Sequence, residues 1–255
     1  MFWRLPNELL ADPQQLNSYS YARNNPIVSS DPSGLIPEPI QAAQMNMAVY
    51  QNGNEGKNLS GGWQYNSLLP GNGTKIGVYS RTQTENQSVP LEYALVSRGT
   101  TNWLGSDLLN NLGQIFGVSS DMSSSIERVT EFVNDHKGNE VTLVGHSKTG
   151  AEAMAGAIKN NKNAIIFNPA TLNASGLDIS GYTAQVNEYI VRGEIVNSLS
   201  APFSTTFGGH DNVTYLPSQY SLSLGQVFQN GLIKSLWSNS TQNHSMESVI
   251  SSLGK

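Results

Sequence analysis

The segment VTLVGHSKTG, residues 141–150, decides the fold of this chain. It begins with a largely β-branched apolar run, and the small-residue stretch AEAMAGAIKNN, residues 151–161, follows it directly. This order predicts a strand, a sharp turn and a helix, with Ser147 at the apex of the turn. Gly145 permits a tight turn, and the N-terminal amides of the helix point towards the serine. The pattern is typical of a nucleophile elbow.

The segment departs from the usual G-x-S-x-G pattern at its last position. Thr149 stands where the second glycine is expected, and Gly150 follows one step later. A glycine-serine turn between a strand and a helix can also serve packing alone, so a structural turn is the alternative interpretation. The flanking strand and the Ala-rich helix favour a catalytic Ser147.

Composition limits the classes of protein that this chain can represent. A length of 255 residues suits one α/β domain of about 200 to 220 residues with a short additional segment. Only 13% of residues are charged, the net charge is −5 and no Lys/Arg cluster occurs, which disfavours nucleic-acid binding. The absence of cysteine excludes disulfides and thiolate chemistry. Four scattered histidines suggest no metal site, and no cofactor is expected.

The sequence changes character near residue 35. Residues 1–35 are rich in Asn, Pro, Ser and Tyr and contain no helical or strand period long enough to build a core. They also lack the apolar core of a signal peptide, and no apolar run reaches the roughly 18 residues that cross a bilayer. We therefore predict a linker over 1–35, a folded domain over 36–255, and export, if it occurs, by another carrier.

The folded domain is predicted to alternate strands and helices around the elbow. A helix is expected over residues 40–51, a glycine- and asparagine-rich loop over 52–74, and an amphipathic helix over 123–136. Predicted strands, besides the elbow strand, cover residues 74–83, 91–99, 164–168, 186–193 and 212–217. This alternation predicts an α/β fold with a mostly parallel central sheet and helices on both faces.

An elbow serine needs a base, and four histidines are candidates. His136 lies in the last turn of a predicted helix, where it suits the helix dipole. His146 is adjacent to the serine and points elsewhere, as a packing or turn residue. His244 opens a short C-terminal helix, whereas His210 precedes a strand, on the wrong side for the active edge of a parallel sheet. His244 is therefore favoured and His210 is the alternative.

The acid is expected between the serine and the histidine, after a later strand. Glu194 follows Gly193 at the end of a predicted strand and fits this position. Three competing acids fit less well, in a loop, in mid-strand and beside His210 respectively: Asp178, Glu188 and Asp211. A solvated loop carboxylate remains the structural alternative for Glu194.

From about Ala42 onwards the chain resembles the class three lipases, the fungal-lipase-like branch of the α/β-hydrolases. The resemblance lies in five ordered segments: YALVSRGT (residues 93–100), TNWLGSDL (101–108), VTLVGHSKTGAEA (141–153), IIFNPA (165–170) and YIVRGEIVNSL (189–199). It implies an α/β-hydrolase fold. It also implies that the usual acid maps to Glu194, where Glu replaces Asp and keeps the charge but changes the reach.

The same resemblance implies roles for residues near the serine. Thr100 and the backbone N–H of Lys148 would form the oxyanion hole, while the Lys148 side chain is expected to be solvated. Residues 102–108 would form or border a lid, with Trp103, Leu104 and Leu108 in contact with substrate. An apolar rim for acyl chains, or equally a core-facing helix, would comprise Leu104, Leu108, Leu109, Leu112, Ile115 and Phe116.

Residues 1–35 resemble the end of an Rhs-repeat-associated core, in which a shell-forming protein gives way to a variable C-terminal toxin. The matching features are Asn25-Pro26 and the DPSGL signature at residues 31–35. The resemblance implies a polymorphic toxin whose lipase-like domain is released near Leu35 and acts at a target-cell membrane. The alternative is that these are ordinary turn residues.

Together these features predict a serine hydrolase of lipid carboxylic esters. Phospholipid is favoured over triglyceride because a toxin needs a membrane target. The expected partners are a lipid or other acyl ester substrate, a membrane surface in transient contact and a cognate immunity protein. Two alternatives stay open: a thioesterase or peptidase on the same fold, and a non-catalytic interaction module.

Overall fold

A computed structural model of the chain describes residues 36–50, 59–82, 92–98, 120–170, 177–196 and 211–254. Its strands form one seven-stranded sheet: β1 Gln64–Leu68, β2 Ile76–Arg81, β3 Glu92–Ser97, β4 Glu140–His146, β5 Asn163–Phe167, β6 Val186–Val191 and β7 Asp211–Leu216. Its α-helices are α1 Pro39–Tyr50, α2 Ser120–Asp135, α3 Lys148–Asn160, α4 Leu224–Asn230, α5 Leu232–Asn243 and α6 Met246–Leu253. The predicted α/β class is thereby confirmed.

The strands lie in the sheet in the order in which they occur along the chain. β1, β2 and β3 pair antiparallel, whereas β3 to β7 are parallel to one another. β3 is buried throughout, and β4 and β5 are buried apart from their first residues, as expected for strands covered by helices on both faces. Because parallel strands end at the same edge, the residues after β4, β5 and β6 share the carboxyl edge of the sheet.

Two apolar clusters cover the two faces of the sheet. Alternation along β4 sends Leu143 into one cluster, with Val129 of α2 and Met154 of α3. It sends Val144 into the other, with Met45 of α1 and further residues of α6. The predicted helices on both faces are therefore present.

Two parts of the sequence-based prediction are wrong in detail. Residues 52–74 are not wholly loop, because β1 pairs with β2 in this segment and a 3-10 turn, Ser60–Gly62, precedes it. The sequence QYNSL of β1 is mostly exposed, so it lacks the apolar alternation that marks a strand. Helices α4 and α5 were also not predicted.

The other predicted elements agree with the structure to within three residues at each end. Among the described residues, no helix is long and apolar enough to cross a membrane.

Candidate active site

Ser147 is the single residue between the end of β4 and the start of α3, and its backbone is strained. Its φ is 59° and its ψ is −130°, a conformation that costs a residue with a side chain about 1–3 kcal/mol. Three main-chain hydrogen bonds hold it: its N–H donates to Phe167 O at 3.1 Å, and its carbonyl accepts from the N–H groups of Gly150 at 3.0 Å and Ala170 at 2.9 Å. The predicted elbow is present.

The glycines of the elbow are required for space. A Cβ at Gly145 would lie 2.3 Å from the Thr149 carbonyl oxygen, and one at Gly150 would lie 2.9 Å from Pro169 Cβ. The positive φ of the turn falls on Ser147 and not on Gly145. These contacts explain why α3 can start directly against the end of β4.

Thr149 replaces the second glycine of the usual pattern without loosening the elbow. The residue is buried, and its hydroxyl lies 3.1 Å from Ser97 O and 3.0 Å from His146 O. It thus ties the elbow to the end of β3. Ser97 O also accepts from Asn46 Nδ2 at 3.3 Å, so α1 contacts the same point.

Glu194 and His244 form a buried pair at this edge of the sheet. Gly193, with a φ of 78°, turns the chain after β6, and Glu194 N–H donates to Val191 O at 3.1 Å. Glu194 Oε2 accepts from Val196 N–H at 2.8 Å and lies 2.6 Å from His244 Nδ1. Because an ionised carboxylate only accepts, Nδ1 carries the proton, and Nε2 of the neutral ring keeps the lone pair.

His244 is held at the junction of two helices. It caps the C-terminus of α5, where its N–H lies 3.2 Å from both Ser240 O and Thr241 O. Ser245 caps the start of α6, and its side chain accepts from Ser248 N–H at 3.3 Å. The backbone of His244 is therefore fixed on both sides.

A comparison with protein families identifies the family of this chain. Residues 47–230, more than half of the chain, match the phospholipase-like family described as the Tle-like phospholipase domain. The chain belongs to this family. His244 lies C-terminal to the matched segment. A search of curated proteins finds no significant match.

Solved structures of fungal lipases are also similar to this Tle-like domain. The native propeptide complex of Rhizomucor miehei lipase shares 13% identity at a TM-score of 0.43, over 68% of this chain and 66% of that one. Lipase II from Rhizopus niveus shares 14% identity at 0.41, over 65% and 73%. A mutant form of MDLA from Penicillium cyclopium shares 14% identity at 0.41, over 73% and 80%.

His146 of the Tle-like domain holds the backbone of His244 in place. Its Nε2 lies 2.7 Å from His244 O, and its Nδ1 lies 3.2 Å from the Tyr50 hydroxyl. A carbonyl only accepts, so Nε2 carries the proton and Nδ1 accepts from Tyr50. Burial, together with nearby His244, lowers the pKa of His146 from 6.5 to about 3. The sequence predicted a packing or turn role, and the structure adds this hydrogen-bonded function.

Asn168 is a site residue to which the sequence assigned no role. It follows β5 with a φ of 39°, and its Nδ2 lies 3.2 Å from Asn243 O and 3.1 Å from His244 O. Its Oδ1 accepts from Val191 N–H at 2.8 Å. One side chain thus joins β5, β6 and the α5–α6 junction. Its position immediately after a strand, and the tolerance of Asn for positive φ, were the available signals.

Ser147 is fully buried at the elbow, and its Oγ makes no hydrogen bond within the described part of the chain. His244 Nε2 is likewise buried. Lys148 begins α3, and its Nζ lies 3.7 Å from the buried Glu152 carboxylate. The Lys148 side chain, expected to be solvated and not catalytic, is 27% exposed and forms this ion pair one turn along the helix.

The remaining histidine and acid candidates occupy separate places. His136 stacks on Phe132 with ring centroids 3.9 Å apart, and its Nδ1 lies 2.9 Å from Phe132 O, which is a packing role. Asp178 bonds to Ser180 in an exposed loop, and this bond lowers its pKa.

Several predicted residues lie outside the described ranges. These are Thr100, Trp103, Leu104, Leu108, Leu109, Leu112, Ile115, Phe116 and His210. Within the described ranges, no group of three or more His, Cys, Asp or Glu residues is placed to hold a metal ion.

Proposed function

We propose that this chain is a serine hydrolase that cleaves carboxylic ester bonds of phospholipids. Its triad is Ser147, His244 and Glu194. The observation that carries this proposal is the buried 2.6 Å contact between His244 Nδ1 and Glu194 Oε2 at the sheet edge that bears the Ser147 elbow. Membership of a phospholipase-like family supports the lipid substrate.

The reaction begins with attack of Ser147 Oγ on the ester carbonyl carbon. The hydroxyl proton passes to His244 Nε2, the nitrogen that keeps its lone pair because Nδ1 is bonded to Glu194. Glu194 holds the ring orientation and stabilises the imidazolium that forms. Its second bond, from Val196 N–H, fixes the carboxylate in turn.

The negative charge on the carbonyl oxygen is met by the backbone N–H of Lys148, the first residue of α3, and by Thr100. Each such donor lowers the barrier by about 3 kcal/mol. The imidazolium then returns its proton to the leaving alcohol, and an acyl-Ser147 remains. A water molecule, deprotonated by His244, attacks this ester and releases the fatty acid and free Ser147.

A fluorophosphonate probe tests the nucleophile directly. We expect one adduct, located by peptide mass spectrometry on Ser147, and loss of labelling in Ser147→Ala. Ser147→Ala should also lower short-chain esterase activity by several orders of magnitude with an unchanged circular dichroism spectrum. Ser67→Ala, which alters an exposed serine of β1, is the matched control.

Three results would contradict the proposal in whole or in part. Retention of more than about one part in a hundred of the esterase activity in Ser147→Ala would exclude the assigned nucleophile. Absence of any adduct in the wild type would favour a non-catalytic module. A preference for thioesters or peptides over esters would replace the substrate class and leave the triad.

We further propose that the domain is the toxic part of an effector delivered to a target-cell membrane. The support is the resemblance of residues 1–35 to the end of an Rhs-associated core, with release of the domain near Leu35. A cognate immunity protein would protect the producing cell. An enzyme of this kind is harmless while enclosed and harmful once it reaches phospholipid.

A further inference from the structure

Helices α4 and α5 present an exposed apolar surface, which we call the hairpin face. It consists of Leu224, Phe228, Leu232, Ile233, Leu236 and Trp237. Phe228 is 89% exposed, Ile233 83% and Leu224 79%. Residues four apart lie on one side of a helix, as do Leu224 and Phe228 in α4 and Ile233 and Trp237 in α5. A contiguous patch of this kind marks an interaction surface on a folded protein.

The buried residues of α5 are polar. Ser235, Asn239 and Asn243, at intervals of four along α5, are buried. Ser235 Oγ donates to Gln226 O at 3.0 Å, and Asn239 Nδ2 donates to Gln226 Oε1 at 3.3 Å. Surface helices normally bury their apolar side and expose the polar one. Hydrogen bonds therefore hold α4 to α5, and the exposed apolar side chains are left for a contact outside the domain.

We propose that the hairpin face docks on a phospholipid bilayer, an inference that rests on the proposed phospholipase function. Charge favours this occupant. Residues 217–243 contain no Asp or Glu and only one charged residue, Lys234, although the whole chain carries 19 acidic residues. A surface that lacks carboxylates meets no repulsion from anionic lipid head groups.

Aromatic residues around the hairpin face fit the same occupant. Trp237 is 37% exposed, and Tyr220, in the loop before α4, is 42% exposed. Rings of this kind, apolar with one polar end, are stabilised at the boundary between head groups and acyl chains.

Helix α5 of the hairpin leads along the chain to the candidate active site. α5 ends at Asn243, and His244 follows it. Asn243 Oδ1 accepts from the N–H groups of Gln219 at 3.0 Å and Tyr220 at 2.9 Å, so the end of α5 is fixed to the loop after β7. Docking through this hairpin places the lipid phase on the segment that carries the proposed base.

Vesicle co-sedimentation of the full chain tests the docking. The probe is a vesicle of phosphatidylcholine and phosphatidylglycerol in equal parts, and Ser147→Ala is present in every variant so that no lipid is consumed. A double variant that combines Phe228→Gln and Ile233→Gln is compared with the single variant Ile179→Gln. Ile179 is 44% exposed and lies in the loop before β6, at the opposite edge of the sheet.

We expect the double variant to lose on the order of a hundredfold in vesicle partitioning, since each side chain contributes roughly tenfold. Ile179→Gln should bind like the parent, and all chains should unfold at the same temperature. Equal binding by all three chains would overturn the proposal. So would a concentration-dependent dimer, without vesicles, that the double variant abolishes, because the face would then be an interface between copies.

Failure of the docking and failure of the proposed function give different results. Soluble ester hydrolysis by the Ser147-containing chain without face-dependent vesicle binding overturns the docking alone. Face-dependent vesicle binding by a chain that hydrolyses no ester supports the docking and contradicts the proposed enzyme.

Discussion

The bond between His244 Nδ1 and Glu194 Oε2 is the reason why His244 is the proposed base and His210 is not. It fixes the ring, so His244→Ala should lower esterase kcat/KM by on the order of ten-thousandfold. His210→Ala should change it less than about threefold, within the range of a substitution that touches no reacting group. Both variants are measured in the same short-chain esterase assay. A larger loss in His210→Ala would reverse the assignment.

The sequence selected Glu194 and His244, which are in contact, whereas the residues that support this pair were not predictable. Ser147, Glu194 and His244 were selected from an elbow motif, a strand end and a choice among four histidines. Their catalytic roles stay predictions. His146 and Asn168 act on the carbonyl of His244, which lies 98 and 76 residues further along the chain. A hydrogen bond to a distant main-chain oxygen leaves no local pattern.

The buried His146 should make the protein sensitive to acid. Its pKa is about 3 in the folded state and 6.5 in the unfolded state, so below pH 6.5 the unfolded chain binds the proton first. The free energy of unfolding therefore falls between pH 6.5 and 3, by about 2 kcal/mol at pH 5 from this group. His146→Gln, whose amide can still donate to His244 O, removes that contribution. Urea unfolding of the wild type and of His146→Gln at pH 7 and pH 5 measures this contribution. An equal fall in the free energy of unfolding of both proteins would contradict the prediction.

At the scale of elements, the sequence predicted the strands and helices that bury an apolar side. β3, β4 and β5 read as apolar runs because both faces of the sheet are covered. β1 was missed because it is a mostly exposed strand paired only with β2. α4 and α5 were missed because α4 buries no residue and α5 buries only Ser235, Asn239 and Asn243, so neither helix has a buried apolar side.

The elbow depends on the absence of a side chain at Gly145. In Gly145→Ala the new Cβ would lie 2.3 Å from a backbone oxygen of α3, so the strand and helix must separate. We expect a loss of roughly 3 kcal/mol in the free energy of unfolding. Gly181→Ala is the matched control, since nothing lies within 4 Å of its Cβ. Denaturant unfolding of both variants tests the prediction. Equal free energies of unfolding would contradict it, because the strand and helix would then separate at no cost.

On the scale of the whole molecule, the strand order explains how distant residues meet. Each parallel strand after β3 is placed one position further across the sheet, so Ser147, Asn168 and Glu194 follow three adjacent strands, β4, β5 and β6. The chain then returns through α4 and α5, which bring His244 back over β5 and β6. The parallel topology could be predicted from the alternation of strands and helices. The return through α4 and α5 could not be predicted, because these two helices lack a buried apolar side.

The proposed effector role predicts toxicity that depends on the nucleophile Ser147, and it is tested in two cellular compartments. The full chain of 255 residues is expressed in a bacterial host with and without a periplasmic signal, beside Ser147→Ala. We expect growth arrest by the Ser147 protein, with free fatty acid and lysolipid in the lipid extract, because ester cleavage of bilayer phospholipid yields both products. Equal growth of both chains in both compartments, together with turnover of soluble esters only, would identify a housekeeping esterase and exclude the toxin.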